Sequence, residues 1–128
     1  MKELTKDGHK VNLAEKFASF SEQWTPKVVG ELNGQWVKLA KVEGDFVWHD
    51  HAHEDELFLV IAGKLTIHLR DRSVELEAGE FFIVPAGVEH RPEASEEAQI
   101  LLFEPKSTAH TGVVESERTV TPDRQEWI

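Results

Sequence analysis

The chain contains no cysteine, which removes disulfides, thiolate metal ligands and cysteine nucleophiles together. Any metal site in it must be built from imidazole and carboxylate. Long apolar runs are missing as well: nothing approaches the roughly 18 consecutive apolar residues that a membrane-spanning helix needs. The opening Met1-Lys2-Glu3-Leu4-Thr5-Lys6-Asp7 has no hydrophobic stretch of the signal-peptide kind, so the expected compartment is the cytoplasm. Basic charge is scarce. Lys and Arg number 14 against 24 Asp and Glu, a formal net charge of −10, and such a surface repels nucleic acid and anionic membranes. No internal repeat, low-complexity tract, glycine-rich phosphate loop, Ser-His-acid spacing or pair of catalytic carboxylates is visible.

What is present reads as one domain. The 128 residues suit a single core and show no composition break. Leu13, Phe17, Phe20 and Trp24 recur at helical spacing, predicting a short N-terminal helix that covers one end of the core, with Asn12 and Glu15 placed as a capping box and Pro26 as its end. From Lys27 onward the period changes to two. Val28 to Leu32 and Trp36 to Val42 flank Asn33-Gly34, a dipeptide suited to a tight hairpin turn. Leu65, Ile67 and Leu69, and then Val74 and Leu76, alternate with polar residues, so these strands have one wet face. Leu57 to Ala62 and Phe81 to Val84 are apolar throughout, which predicts burial on both faces and contact with the helix or a second subunit. Ile100 to Phe103 is a further such run, closed by Pro105. About eight short strands favour a sandwich or barrel. We therefore expect an all-β domain over residues 1–128, with its core at about 27–105 and a polar C-terminal arm over 106–128 anchored by Val113-Val114, Val120 and Trp127-Ile128.

The chemistry concentrates in Trp48-His49-Asp50-His51-Ala52-His53-Glu54-Asp55-Glu56. Histidines two residues apart share a face of a regular strand, and two imidazoles on one face are half a metal site. Both His49-x-His51 and His51-x-His53 satisfy that rule. Glu56 has the opposite parity and joins them only if the chain bends between His51 and Glu56, which the polar residues from Ala52 to Asp55 permit. A carboxylate leading into Leu57-Phe58-Leu59-Val60-Ile61 needs a partner, because an unpaired buried charge costs several kcal/mol; a cation would supply one. Further on, Gly79 opens an apolar strand that runs into Pro85-Ala86-Gly87 and presents His90 just beyond the turn. Phe58 and Val60 share the parity of Glu56 and would line a pocket beside it. His68 sits on a polar strand face, Trp48 reads as packing, Asp50, Glu54 and Asp55 read as a solvated loop, and His9 and His110 lie in polar surroundings.

These two segments resemble the paired motifs of the cupin superfamily. The first motif is matched by His49-x-His51, four intervening residues, Glu56, six more, and Gly63, although Gly44 stands one residue closer to His49 than the pattern asks. The second is matched by Gly79, Pro85, Gly87 and His90, with Ala94 where the family's Asn would fall. That Asn does not bind metal. The resemblance covers most of the chain apart from its first 25 residues and the tail. It implies a double-stranded β-helix (jelly-roll) barrel, a divalent metal ion carried by His49, His51, Glu56 and His90 and open to a pocket in the barrel mouth, and a homodimer. It disfavours the His51-x-His53 register, leaving His53 on the rim or beside a ligand.

Imidazole and carboxylate donors suit Fe, Mn, Ni, Co, Zn or Cu, and do not choose among them. The expected function is that of a metal-dependent cupin acting on a small organic molecule as an isomerase or oxygenase, in which Glu56 is a fourth ligand or, swung off the ion, a base. The alternative is a non-catalytic module that binds a metabolite or holds a closed metal site.

Overall fold

A computed structural model describes residues 8–106 and 125–128. Asn33 (φ 52°) and Gly34 (φ 78°) both take the left-handed backbone that a two-residue hairpin turn demands. The turn joins β1 (Lys27–Leu32) to β2 (Gln35–Asp45). After an irregular stretch the chain forms β3 (Glu56–Ala62), β4 (Lys64–Leu69), β5 (Ser73–Glu77) and β6 (Phe81–Val84), then the long β7 (His90–Pro105) and a short β8 (Glu126–Trp127). Every pairing among these strands is antiparallel except β8 on β1.

β7 makes this a barrel. Its first residues pair with β4, as in Leu69↔His90 and Ile67↔Pro92, while its later residues pair with β3, as in Leu57↔Phe103 and Val60↔Ile100. β2 runs along both halves, with a bulge between Val42 and Gly44 where β7 carries extra residues. One strand thus changes neighbour along its length, wrapping the sheet into the expected double-stranded β-helix. Gly63 sits at the β3–β4 junction with φ +85°, and a Cβ there would meet Glu97 O at 3.0 Å and Ala98 Cα at 3.1 Å. Two backbones approach there too closely for any side chain.

The barrel interior is filled by Val60, Leu65, Ile67, Leu76, Val84, Ala98, Ile100 and Leu102, all buried. A second cluster lies outside the barrel, where Phe17 and Phe20 cover Val29 and Leu39, with Ile61 and Leu101 packed alongside. The helix beneath it, α1, is shorter than its stripe predicts: it spans Leu13–Ala18, with the Asn12 side chain accepting from Glu15 N at 3.0 Å as the cap. Ser19 closes it by donating its hydroxyl and its N–H to Lys16 O. Phe20 and Trp24 are therefore not helical, and Pro26 does not end the helix. Tertiary pairing outweighs the periodicity: Trp24 N donates to Lys41 O, Trp24 takes a φ of 57°, and its ring stacks on Phe46 at 4.8 Å, inside the barrel cluster.

The two-faced burial expected for the apolar strands also needs correction. Inward residues of β3 are buried, but Leu57 and Leu59 are only half-buried, and Phe81 and Ile83 of β6 are 59% and 47% exposed. α1 reaches Ile61 and Leu101 and leaves the rest of that face open. Of the predicted C-terminal arm, Val113, Val114 and Val120 lie outside the described residues. Its last residues pack on the barrel, with Trp127 paired to Val28 and Lys27 Nζ 2.8 Å from Glu126 Oε1.

Candidate metal centre

The stretch between β2 and β3 forms almost no ladder, and this frees its side chains. Only His49 makes a bridge, exchanging two backbone hydrogen bonds with His90: N to O at 3.0 Å and O to N at 2.9 Å. That exchange joins the two motifs at the barrel mouth. A bend at Ala52–His53 reverses the parity and lets Glu56 point inward with His49 and His51, as the opposite parities require. Gly87 N donates to His51 O at 2.7 Å and Ala86 N to Asp55 Oδ1 at 2.8 Å. Asp55 is therefore not simply a solvated acid; it fastens the Pro85-Ala86-Gly87 turn to the first motif.

His49, His51, Glu56 and His90 are all buried, and one donor atom from each lies within 4.8 Å of the others. Donors about 2.0–2.2 Å from a shared ion stand at most about 4.4 Å apart, so the cluster closes on a cation with shifts of a few tenths of an ångström. Ring orientation agrees. His49 Nδ1 lies 2.9 Å from Val47 O and His90 Nδ1 2.9 Å from Val88 O. A carbonyl only accepts, so both rings carry their proton on Nδ1 and turn a lone pair on Nε2 into the cluster. His90 Nε2 has no hydrogen-bond partner and sits 3.6 Å from Glu56 Oε1. A lone pair facing a carboxylate across that gap is satisfied by a cation between them, and this is the test that a divalent metal passes here.

The electrostatics are those of a ligand set. Burial, followed by the charge of His90, pushes the His49 imidazole down to about 4, so it is neutral at physiological pH. Burial would raise Glu56, but the His51 ring hydrogen-bonded to it at 3.1 Å and the neighbouring His90 outweigh that and hold the carboxyl well below its usual range. Both groups are thus in their metal-binding forms.

The remaining sequence candidates fall outside the cluster. His53 is exposed. His68 donates or accepts through both ring nitrogens, to Ser73 Oγ at 2.8 Å and Glu93 Oε1 at 2.6 Å. This Ser-His-acid row, invisible in the spacing, lies on the outer sheet face with Ser73 exposed and away from the interior cavity. Trp48 packs under the Arg70 guanidinium, 3.7 Å from the ring centre. Phe58 lines the cavity with Trp24, Phe46, His49 and Glu56, and its ring is 5.9 Å from that of His90; Val60 is buried deeper. Two interior residues escaped the sequence reading altogether. Lys38 and Glu104 are fully buried, with Nζ 3.0 Å from Oε1. Burial and the neighbouring Glu56 charge raise the Glu104 carboxyl well above its usual range, with Lys38 opposing them.

A jelly-roll barrel in which three imidazoles and a carboxylate converge defines a class of small β-barrel proteins with a donor set that could hold a metal ion. The sequence matches the family model for the cupin domain over residues 35–104, and the chain belongs to the cupin family. It is 34% identical over 104 residues to the uncharacterized protein YdbB of Bacillus subtilis (strain 168), covering 80% of this chain and 85% of that one. The crystal structure of a cupin-2 domain containing protein from Shewanella frigidimarina NCIMB 400 matches with a TM-score of 0.74 at 45% identity, covering 80% of this chain and 98% of that one. Hydroquinone 1,2-dioxygenase PnpCD, crystallised with Cd2+ and 4-hydroxybenzonitrile, matches with a TM-score of 0.62 at 26% identity over 73% of this chain and 71% of that one. Among the described residues no helix is long and apolar enough to cross a membrane.

Proposed function

We propose that this cupin binds one divalent transition-metal ion through His49, His51, Glu56 and His90 and acts on a small organic molecule as an isomerase or an oxygenase. The observation that carries the reading is the unpartnered, fully buried His90 Nε2 aimed at Glu56 Oε1 beside two further imidazoles. When bound, the ion supplies Lewis acidity and positions open to an exogenous oxygen donor. His49 and His90 hold their rings fixed through the Val47 and Val88 carbonyls. Glu56, on the cavity wall, either ligates or turns toward the occupant as a base. Trp24, Phe46, Phe58 and Pro92 exclude water and select for an apolar body. The likeness to a hydroquinone dioxygenase that holds Cd2+ supports both the metal and an aromatic or enolic substrate class.

A second reading rests on the size of the cavity. The volume in it open to water is about 30 Å³, room for about two or three waters. A module that holds the ion in a closed site, without turnover, fits that volume unless Trp24 and Phe46 move apart.

The half-open apolar face of β3 and β6, with Phe81 and Ile83 outermost, supports a homodimer that buries it.

Elemental analysis of untagged protein prepared without chelator, beside His49→Ala and His90→Ala, tests the site. About one equivalent of a transition metal, lost in both variants, is expected. Water-proton relaxation of the Mn2+-loaded protein then separates the readings: an exchanging metal-bound water belongs to the enzyme, and its absence to the closed module. Failure to take up Fe, Mn, Ni, Co, Zn or Cu overturns the proposal.

A further inference from the structure

An ammonium and a carboxylate sealed inside an apolar barrel are costly, and well-packed hydrophobic residues of similar volume would serve stability as well or better. The pair at Lys38 and Glu104 is an extreme case, both side chains being wholly without solvent contact. On β2, Lys38 shares the inward parity of Ala40 and Val42; on β7, Glu104 shares that of Ile100 and Leu102. Leu57 pairs with Phe103, so Glu56, one residue earlier on β3, lies beside Glu104. The 3.0 Å approach of Nζ to Oε1 is off the hydrogen-bond direction, and neither group has another hydrogen-bond partner.

Three ionisable groups therefore share one dry compartment: the Lys38 amine and the Glu104 and Glu56 carboxyls. Glu104 stands 3.0 Å from Lys38 and, across the β3–β7 ladder, beside Glu56, whereas the groups facing Glu56 Oε1 are His51 at 3.1 Å and His90 at 3.6 Å. We propose that Glu104 and Lys38 are positioning residues for the metal centre, in which Glu104 keeps the buried ammonium off Glu56 and so leaves the Glu56 carboxylate available to a cation. The inference rests on the metal-binding reading above. Without the Glu104 carboxylate, the other buried carboxylate among the described residues is Glu56, and an ammonium paired with Glu56 competes with a metal for the same oxygens.

Mn2+ affinity of the full chain, measured by electron paramagnetic resonance for wild type, Glu104→Gln and the double variant Lys38→Met/Glu104→Gln, tests this. Glu104→Gln keeps shape and volume while removing charge, and should weaken Mn2+ binding by about 10- to 100-fold. The double variant should return to within about threefold of wild type, because the competing ammonium is gone. A purely structural pair predicts the reverse order, with the double variant worst. Unchanged affinity in Glu104→Gln, or a folded double variant as weak as the single one, overturns the proposal. The imidazole nitrogen resonances of the metal-free proteins give a readout independent of metal: the His51 ring, bonded to Glu56, should shift in Glu104→Gln and recover in the double variant. Wild type that binds no Mn2+ yet shows this shift and recovery would sink the metal reading and keep the pair; unmoved His51 resonances would sink the pair.

Discussion

The two faces of β3 carry opposite chemistry to that of most half-buried strands. Its inward residues begin with a charged carboxylate, Glu56, followed by Phe58 and Val60, while its outward residues are Leu57, Leu59 and Ile61, apolar yet only half-buried. Inside, the carboxylate is tolerated because His51 and His90 lie 3.1 and 3.6 Å from it and because a cation would complete the set. Outside, apolar side chains lie beside Phe81 and Ile83 with solvent access. Polarity therefore does not track depth here: the dry face holds the donor groups, and the half-open face is apolar.

Substitutions on the inner face have the largest expected effects. His90→Ala should abolish stoichiometric metal uptake while leaving the barrel folded, read by elemental analysis and circular dichroism; full occupancy in that variant would remove His90 from the site. Next in size, Ile67→Ala, at a fully buried interior position, should cost about 2–5 kcal/mol in chemical denaturation, and a cost below about 1 kcal/mol would mean that the interior repacks freely.

Acid gives an effect of intermediate size. The His49 imidazole of the folded chain stays neutral down to about 4, whereas its ordinary value is 6.5. Between those values the unfolded chain binds the proton that the folded chain refuses, so stability is present above pH 6.5 and falls as the pH drops toward 4. The metal-free protein should lose about 2–3 kcal/mol over that window, and His49→Gln should flatten the profile. Glu56, held below its usual range, contributes only below its ordinary 4.5 and so does not blur the upper part of the window. A flat wild-type profile would contradict the burial of a neutral His49.

The smallest folding effect belongs to the outer face. Phe81→Ser should alter the unfolding free energy of the isolated chain by less than about 0.5 kcal/mol while shifting sedimentation toward monomer. No change in assembly would leave that face without the partner its composition suits.

Where local chemistry was enough, the residues were legible. Asn33-Gly34 needs positive φ at two positions and forms that turn; the His49-x-His51 spacing, the carboxylate ahead of an apolar strand and the Pro85-Ala86-Gly87 turn before His90 mark the four donors that the barrel gathers. The helix is shorter than its apolar stripe because Trp24 is claimed by Lys41 and Phe46, which lie far along the chain. Glu104 carries a weaker form of the same signal: it stands at the edge of Ile100 to Phe103 much as Glu56 stands at the edge of Leu57 to Ala62, and an unpaired buried carboxylate is costly at either position. Lys38 carried no such signal: in an alternating strand a lysine ordinarily marks the wet face.

The sequence by itself determined the strand periodicity, the hairpin, the identity of the donors and the absence of any thiol chemistry, since these depend on residue type and near-neighbour spacing. Only the tertiary structure decided which face of the uniformly apolar strands is inside and that Lys38 faces inward, because β7 must first change its neighbour from β4 to β3 and close the barrel. That closure turns Lys38 and Glu104 inward beside Glu56 and aims the His90 lone pair at it, and no property of a residue or its neighbours in sequence encodes the meeting of strands that are tens of residues apart.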